Sequence, residues 1–443
     1  MPPIYRGPFG KPQAERLLWR AGFGPRPGEA ERLAKLGLHG AVESLTRPGR
    51  ERLKGPRPHV DRGRPLAPRD RWGHDQLWWL DKMVRTTHPL HERMTLVWHD
   101  WFATSRDGVD SARLMLNQNK LFRRQGLGSF HELLLSVTCD PAMLLWLSGT
   151  DNTKDSPNEN YARELMELFT LGADRGAYTE HDVREQARAL TGFRNSWGNQ
   201  GPVRFRFDKD RHDKGSKHIF GKRGHYDWRD SCRLCVHHRL HPSFFVTKLW
   251  GYFIPVPPKA GTKRSLERLY VRSGYEIRPV VAAILKHPAL YTGPRMVKPP
   301  AVYVAGLLRG LKRGIDTDAW TWLMQLAGQQ LFYPPNVAGW DDSRWLDTAT
   351  FRARWDIAGY AIRPHVLKTD AKHVPGEADK LLARARALLA EPTLTGRTEA
   401  TLHRFAKRAL HDADAHWKKQ QYPPLIENAL RQLLATAPDL QTS

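Results

Sequence analysis

SPNENYARELMELFTLG, residues 156–172, is the stretch from which both the fold and the candidate chemistry are predicted. Ser156 is a residue type that caps helix starts, Pro157 suits the first helical position, and Glu159 stands where a capping box needs it. Gly172 follows the last residue of the pattern and is typical of a left-handed helix end. The stretch therefore predicts one helix whose two ends are marked by residue type.

Apolar and polar residues separate on this helix at 100° per residue. The apolar arc is broad, which predicts packing on most sides; it contains Tyr161, Ala162, Leu165, Met166, Leu168 and Phe169. The opposite stripe is narrow and contains Asn160, Glu164, Glu167 and Leu171, with Arg163 beside it. The two carboxylates either are solvated or paired with arginines, or they line a functional cleft. At i, i+3 they can share a divalent cation.

The composition is that of a large globular protein. The chain has 443 residues, of which 40% are hydrophobic and 10% aromatic. This length is enough to bury a sizeable core and suggests two or three domains. Sixteen tryptophans predict large buried contacts.

The chain is strongly basic, with a formal net charge of +24. Such a charge suits an anionic polymer or a partner protein with an acidic surface. The same net charge also results when arginines are spread over an ordinary protein surface. The basic residues are scattered and not gathered in a run, so nucleic acid is not favoured as a partner.

The three cysteines are too few for a disulfide framework. Cys232 and Cys235 form a CxxC pair without the second half of a zinc site, and we interpret them as small buried residues. The amino-terminal residues show no secretory pattern, and no apolar run is long enough for a membrane span. We therefore expect a cytoplasmic protein without a transmembrane segment.

Helical patterns dominate the rest of the chain. Helices are predicted within residues 13–46 (two), 71–88, from Pro89, 114–122, on both sides of Pro141, after a Thr179–Asp182 capping pattern, and within 229–254, 263–274, 278–287, 299–313, 318–331 and 346–390. Residues 47–70, rich in Pro, Arg and Gly, predict an exposed loop. The alternation Val203, Phe205, Phe207 predicts a strand that pairs with 218–220 in a β-hairpin.

The predicted fold is accordingly mainly α, a multi-helix globular domain with a small β-hairpin insertion in residues 202–221. We expect this domain to span residues 1–358. Residues 359–443 are expected to form a C-terminal helical extension.

Several long motifs resemble one family. They are LLWRAGFGPRP (17–27), RMTLVWHDWFATS (93–105), PNENYARELMELFTLG (157–172), YTEHDVREQARALTGF (178–193), HDKGSK (212–217), KLWGYF (248–253) and LFYPPNVAGW (331–340). Together they are similar to the bacterial family called domain of unknown function 1800. The resemblance runs from Glu15 to Ala358. It implies a largely helical protein and no established biochemistry. Many members carry export signals, a pattern that residues 1–10 of the given sequence do not show.

Three of these motifs hold polar residues without an obvious structural need. The central helix holds Asn158, Asn160, Arg163, Glu164 and Glu167; a second motif holds His99 beside Asp100, and a third holds His212, Asp213 and Lys217. A helix pair with a polar loop is a plausible cleft. Each residue also has a structural explanation: His99 as a core histidine, Asp213 as a turn cap, Arg163 as an ion-pair partner.

Two functions follow as hypotheses. In the first, the protein is an enzyme with a carboxylate/histidine cleft, with Glu164, Glu167, Arg163, His212 and Asp213 as catalytic residues. Asn158, Asn160 and Lys217 would bind the cofactor or substrate. A divalent transition metal on His99, Glu164, Glu167 and His212 would support hydrolytic or oxidative chemistry. Without a metal, Glu164 or Glu167 is a candidate general base. In the second, the protein is a non-catalytic scaffold whose basic surface docks an anionic polymer or a protein.

Overall fold

A computed structural model describes residues 1–198, 201–413 and 416–443 and confirms a mainly α-helical protein with small antiparallel hairpins. The helices are α1 (Lys11–Arg20), α2 (Glu29–Ala34), α3 (Gly37–Thr46), α4 (His74–Arg85), α5 (Pro89–Trp101), α6 (Arg106–Val109), α7 (Ala112–Gln125), α8 (Phe130–Thr138), α9 (Pro141–Trp146), α10 (Asn160–Glu164), α11 (Glu180–Ala189), α12 (Trp228–Val236), α13 (His241–Gly251), α14 (Ala260–Arg272), α15 (Ile277–Leu285), α16 (Pro288–Thr292), α17 (Pro300–Gly310), α18 (Ala319–Leu326), α19 (Thr348–Ile362), α20 (Ala378–Leu388), α21 (Gly396–His411), α22 (His416–Thr436) and α23 (Pro438–Gln441).

The strands are short and pair locally. They are β1 (His59–Val60), β2 (Arg64–Pro65), β3 (Phe193–Gly198), β4 (Gly201–Phe207), β5 (Lys217–Ile219) and β6 (Lys222–Gly224), paired as β1–β2, β3–β4 and β5–β6. A π-helix over Leu165–Thr170 continues α10, and 3₁₀ turns lie at Asp61–Gly63, Asp342–Arg344 and Arg363–His365.

The chain divides into two compact units. The first unit comprises residues 1–4, 91–288 and 332–340, and the second comprises residues 5–90, 289–331 and 341–443. The predicted extension, residues 359–443, belongs to the second unit. The division at residue 358 stays a prediction.

The core of the first unit is aromatic. Trp98 and Trp101 of α5 are fully buried, and Phe245 stacks on Tyr270 with ring centroids 4.1 Å apart. A buried indole needs a hydrogen-bond acceptor. Trp98 Nε1 donates to the Gly126 carbonyl at 2.8 Å, and Trp101 Nε1 donates to the Phe169 carbonyl at 3.1 Å. These tryptophans are therefore packing residues, as their number in the sequence predicts.

Buried cations bonded to backbone carbonyls hold the second unit together. Arg309 of α17 donates to the Gly24 carbonyl at 3.0 Å and pairs with Glu29 at 3.1 Å. Lys298 donates to the Leu440 carbonyl at 2.8 Å, and its ammonium lies 3.6 Å from the centre of the Trp19 ring. Segments far apart in sequence thus meet inside this unit.

The central helix begins later than predicted. Ser156 does not cap it; Ser156 pairs instead with Thr153 in an isolated bridge. Asn158 Oδ1 accepts the amide of Asn160 at 2.9 Å, which fixes the turn into α10. The predicted end is confirmed, since Gly172 has φ +88° and a Cβ there would lie 2.8 Å from the Arg175 side chain.

The predicted strand at 203–207 is confirmed, but its predicted partner is wrong. β4 pairs with β3, in the register Phe193↔Phe207 and Ser196↔Val203. Residues 217–219 form a second hairpin with 222–224. The Phe193 ring packs against Phe207 and Trp228, at 5.5 and 5.7 Å between centroids. This aromatic packing accounts for the choice of strand partner.

Other local predictions have mixed outcomes. The capping box of Thr179 and Asp182 at the start of α11 is confirmed. Residues 13–46 lie in three helices and not two. The 47–70 segment is mostly irregular, with β1 and β2 as its regular part. Among the described residues, no helix is both long enough and apolar enough to cross a membrane.

Candidate functional site

The asparagines before the central helix shape its entry. Asn158 N donates to Asn152 Oδ1 at 2.9 Å, and Asn152 Nδ2 donates to the Ala187 carbonyl of α11 at 2.9 Å. Asn160 itself is exposed. Asn158 therefore ties the start of α10 to α11, and only Asn160 has a side chain directed mainly to solvent.

Arg163 forms ion pairs. Its guanidinium lies 2.8 Å from Glu180 and 3.1 Å from Glu159. These carboxylates, Glu180 first, raise the pKa of Arg163 above its ordinary value. The predicted structural explanation for Arg163 thus matches its contacts, and the arginine links α10 to the start of α11.

Glu164 and Glu167 are half-buried neighbours. Burial, and then the negative charge of Glu167, raises the pKa of Glu164. Tyr178 Oη donates to Glu167 Oε2 at 3.5 Å, and burial together with Glu167 raises the pKa of Tyr178 to about 12. Glu164 and Glu167 are thus two neighbouring carboxyls in different surroundings, and burial disfavours the charged form of Glu164.

The π-helix presents carbonyl groups that side chains from elsewhere satisfy. A π-helix is rare and in short form often marks a functional region. Four successive carbonyls, those of residues 168–171, accept from Lys248 Nζ (2.9 Å), Trp101 Nε1 (3.1 Å), His241 Nδ1 (2.8 Å) and Arg175 Nη1 (2.6 Å), in that order. Four side-chain donors therefore bind the end of the central helix, which carries Glu164 and Glu167.

His212 is anchored through one ring nitrogen. Its Nδ1 lies 3.0 Å from the Thr191 carbonyl, and since a carbonyl only accepts, Nδ1 carries the proton. Nε2 then has the lone pair. Partial burial lowers the pKa of His212, so the ring is neutral near pH 7. The side chain lines an open surface depression together with Lys154, Asp155, Asp210, Asp213 and Lys214.

Asp213 and Lys217 stabilise the loop that carries His212. Asp213 Oδ2 accepts from Arg188 Nε at 2.7 Å, and Asp213 N donates to Thr191 Oγ1 at 2.8 Å. Hydrogen bonds from Arg188 hold the pKa of Asp213 low against the effect of burial. The buried ammonium of Lys217 donates to the carbonyls of Asp213 and Gly215. Lys217 therefore supports the loop and is not positioned as a ligand-binding cation.

His99 is buried among aromatic rings. Its ring centroid lies 5.5 Å from those of Phe332 and Trp340 and 6.3 Å from that of Phe122. Burial lowers the pKa of His99 to about 3. These surroundings match the predicted core histidine.

The predicted site residues therefore fall into three groups: Glu164–Glu167 with Tyr178, His212–Asp213 with Thr191, and His99 in its aromatic cage. No three His, Cys, Asp or Glu side chains in the described part of the chain are grouped so that they could hold a metal ion. At most two of the predicted ligands, Glu164 and Glu167 on one helix, could share a cation whose remaining positions water or substrate would fill.

The cysteines are structural, as interpreted from the sequence. Cys232 Sγ lies 3.1 Å from Thr138 Oγ1, which also contacts the Tyr161 hydroxyl and the Leu134 carbonyl, each at 2.8 Å. Burial raises the pKa of Cys235 to about 12 and that of Cys232 further. Both therefore stay protonated thiols at neutral pH, and a low thiolate fraction does not favour redox or metal chemistry.

The sequence pattern does not single out Thr191, and it points to Asp100 only as the neighbour of His99. Thr191 positions both His212 and Asp213, although it reads as an ordinary residue at a helix end. Asp100 accepts from the Tyr252 hydroxyl at 2.7 Å and from the Trp340 amide at 2.8 Å. The sequence motifs could have pointed to Thr191 and Asp100, because each of their contacts joins residues of two different motifs.

These observations define a mainly α-helical protein in which polar residues of different sequence motifs are hydrogen-bonded to one another. Residues 16–442 match the family model described as "Protein of unknown function (DUF1800)", and the chain belongs to this family. The match confirms the resemblance and continues beyond Ala358, where the sequence offered no motif. No curated protein and no solved structure matches the chain.

Proposed function

We propose that the chain is a hydrolytic enzyme in which His212 is the general base. This proposal depends mainly on the hydrogen bond between His212 Nδ1 and the Thr191 carbonyl. It fixes the ring and its tautomer, and it leaves Nε2 able to take a proton from water. A pKa lowered by burial keeps the base unprotonated at neutral pH.

The depression around His212 favours a polar substrate. Two lysines and three aspartates line it with His212. Asp213 is engaged by Arg188, and Lys154 Nζ donates to the Asp210 carbonyl at 2.8 Å. A lysine at this position can stabilise negative charge that develops when activated water attacks a carbonyl or phosphoryl centre.

Glu164 and Glu167 are the second acid–base pair of the proposal. The raised pKa of Glu164 suits a proton donor, and Glu167 beside it accepts a hydrogen bond from Tyr178. A divalent metal fits here only with two protein carboxylates, where it would supply Lewis-acid chemistry. Their role is separable from that of His212 by mutation.

The test is a screen of chromogenic ester, phosphoester, glycoside and peptide substrates with the wild-type protein and His212→Asn. The asparagine amide can replace Nδ1 as donor to Thr191 but has no basic nitrogen. We expect kcat to fall about 100-fold or more, with an unchanged melting temperature. His218→Asn, at an exposed histidine six residues away, is the matched control.

Activity retained in His212→Asn would contradict the assignment of the base. Loss of activity in Glu164→Gln or Glu167→Gln, with His212→Asn still active, would move the site to the central helix. If no substrate class is hydrolysed, the alternative function gains weight.

The alternative is a binding protein, favoured by the net charge of +24. Its partner would be an anionic polymer or an acidic protein surface. Binding to heparin or polyphosphate should then weaken steeply as the salt concentration rises from about 50 to about 200 mM. Affinity that does not depend on salt, or no binding, would count against this function.

A further inference from the structure

Residues 47–72, the arginine-rich segment, carry a concentrated positive charge on the second unit. The segment contains eight arginines and one lysine, three times as many cations as carboxylates. All nine cationic residues are exposed. Because exposed cations attract anions from solution, this segment is a candidate interaction surface.

Backbone hydrogen bonds hold the segment on the second unit, although most of it is irregular. Near its start, Lys54 N donates to the Arg85 carbonyl at 2.8 Å. In its middle, His59 N donates to the Ile315 carbonyl at 2.9 Å. The backbone is thus held in place while the cationic side chains stay in solvent. A surface that is ordered before binding loses less entropy when a partner binds.

The second half of the segment brings its charges together near the start of α4. Ala67 N donates to His74 Nδ1 at 2.9 Å. Burial lowers the pKa of His74, and the positive charge of Arg71 lowers it further. Asp318 opposes this shift, and Arg64 adds to it. Two guanidinium groups seven residues apart in the sequence therefore act on the same imidazole.

Trp72 places an aromatic ring beside these charges. It directly follows Arg71 in the chain, and it is 67% exposed. Gly73 has φ +80°, and a Cβ there would lie 3.2 Å from the side chain of Thr321. The chain therefore turns closely against α18 directly after Trp72. An exposed ring among cations is the combination with which proteins stack bases and contact the phosphates of single strands.

We propose that the arginine-rich segment binds single-stranded nucleic acid. Trp72 stacks on a base, and the phosphate groups bind to four exposed arginines: Arg62, Arg64, Arg69 and Arg71. The planar guanidinium group matches a phosphate through two parallel hydrogen bonds. The spacing of the basic residues along the sequence does not favour nucleic acid, but the fold supplies the grouping that the sequence lacks. This inference names the surface and the partner of the alternative binding function, and it does not involve His212.

The experiment is a fluorescence anisotropy titration of labelled oligothymidylate and oligouridylate of about 20 nucleotides, in salt from about 50 to about 200 mM. The wild-type protein should bind one or both, more weakly as the salt concentration rises. The fourfold variant Arg62→Gln, Arg64→Gln, Arg69→Gln, Arg71→Gln should bind at least about tenfold more weakly, and the slope of log affinity against log salt should become less steep by about three. Since all four arginines are exposed, the melting temperature should not change.

The matched control removes four exposed cations from α21: Arg397→Gln, Arg404→Gln, Lys407→Gln and Arg408→Gln. It has the same net charge as the fourfold variant, but it should bind the oligonucleotides like the wild type.

Trp72→Ala tests the aromatic ring separately. It should bind about tenfold more weakly without a change in the salt dependence, because stacking involves no charge. Trp197→Ala, at a tryptophan of the first unit that is 78% exposed, is its control and should bind like the wild type.

The proposal is overturned if neither oligonucleotide binds at the lowest salt concentration, or if the fourfold variant and its control lose the same affinity. It is also overturned if Trp72→Ala binds as tightly as the wild type. Binding to heparin or to phosphatidylserine vesicles, without binding to either oligonucleotide, would overturn it too, while the alternative binding function would remain. His212→Asn should not change the affinity, so this surface and the proposed hydrolytic function can fail independently.

Discussion

At the scale of single residues, three histidines of the first unit show how surroundings decide chemistry. His99 lies among aromatic rings, and burial lowers its pKa to about 3. His241 donates from Nδ1 to the Thr170 carbonyl and accepts the Tyr270 hydroxyl at Nε2, and burial lowers its pKa to about 4. Of these three, His212 is the one that combines an anchored ring nitrogen with a place beside a surface depression. The proposal of a general base therefore rests on His212.

The pH dependence of stability tests the burial of His99. Its folded pKa, about 3, lies below the ordinary value of 6.5. The stability it contributes is thus present above pH 6.5 and is lost as the pH falls toward 3, because the unfolded chain binds the proton first. Between pH 6.5 and 4.5 this loss is about 2–3 kcal/mol. We expect His99→Phe to lose that much less than the wild type in urea unfolding.

His411→Phe, at a histidine whose side chain is 89% exposed, is the matched control and should follow the wild type. An equal loss of stability in His99→Phe and the wild type would show that His99 is protonated in the folded protein.

The sequence indicates which residues are candidates for a site, but it does not show which of them lie next to one another in the fold. The pattern identified His212 and Asp213 as polar residues beyond structural need, and the structure places them side by side with Arg188 and Thr191. It could not reveal the burial of Arg93, because an arginine in a helix of an arginine-rich chain looks like any surface charge. The burial of a charged side chain is a tertiary property that no local spacing records.

At the scale of elements, the central helix shows why its ends were only half predictable. Gly172 ends it as expected, since a positive φ is a local requirement. The helix begins at Asn160 and not next to Ser156, the predicted cap, because the side chain of Asn158 accepts the Asn160 amide. The sequence pattern predicts that Leu165–Thr170 continues an α-helix, whereas these residues form a π-helix. Its distinguishing feature is the set of donors from other elements, which the sequence cannot align.

The π-helix should depend on those donors. Trp101→Phe keeps an aromatic ring in the core but removes the hydrogen bond to the Phe169 carbonyl. We expect a loss of about 1–3 kcal/mol in the free energy of unfolding, with amide exchange at residues 170–172 about tenfold faster. Hydrogen exchange with mass spectrometry measures both the site and the size of the effect.

Trp98→Phe is the matched control for this prediction, because it removes a similar bond, to the Gly126 carbonyl. It should destabilise the protein without preferentially accelerating exchange at residues 170–172. Unchanged exchange there in Trp101→Phe would mean that the hydrogen bond does not hold the π-helix.

At the scale of the whole molecule, the sequence predicted a helical protein correctly because helix patterns and caps are local. The way segments combine is not local. The second unit joins residues 5–90 with 289–331 and 341–443, and the family match likewise continues to residue 442. Composition and motifs suggested a boundary after residue 358 because motifs end there, but motif density does not measure packing.

Truncation after Ala358 tests that boundary. Residues beyond it supply partners inside the second unit: the Tyr303 hydroxyl donates to the Ala435 carbonyl at 3.0 Å, Thr393 N donates to Glu15 at 2.9 Å, and Val297 forms a bridge with Thr442. Removing them leaves buried polar groups and apolar faces of α17 and α19 uncovered. We therefore expect the chain of residues 1–358 to show less helix per residue by circular dichroism, and rapid cleavage within residues 289–358 in limited proteolysis.

Tyr303→Phe, which removes one of these bonds in the full chain, should lower the free energy of unfolding by about 1 kcal/mol while keeping full helicity. If residues 1–358 instead unfold cooperatively with undiminished helicity per residue, residues 359–443 are a separable extension, and the boundary predicted from the motifs is the correct one.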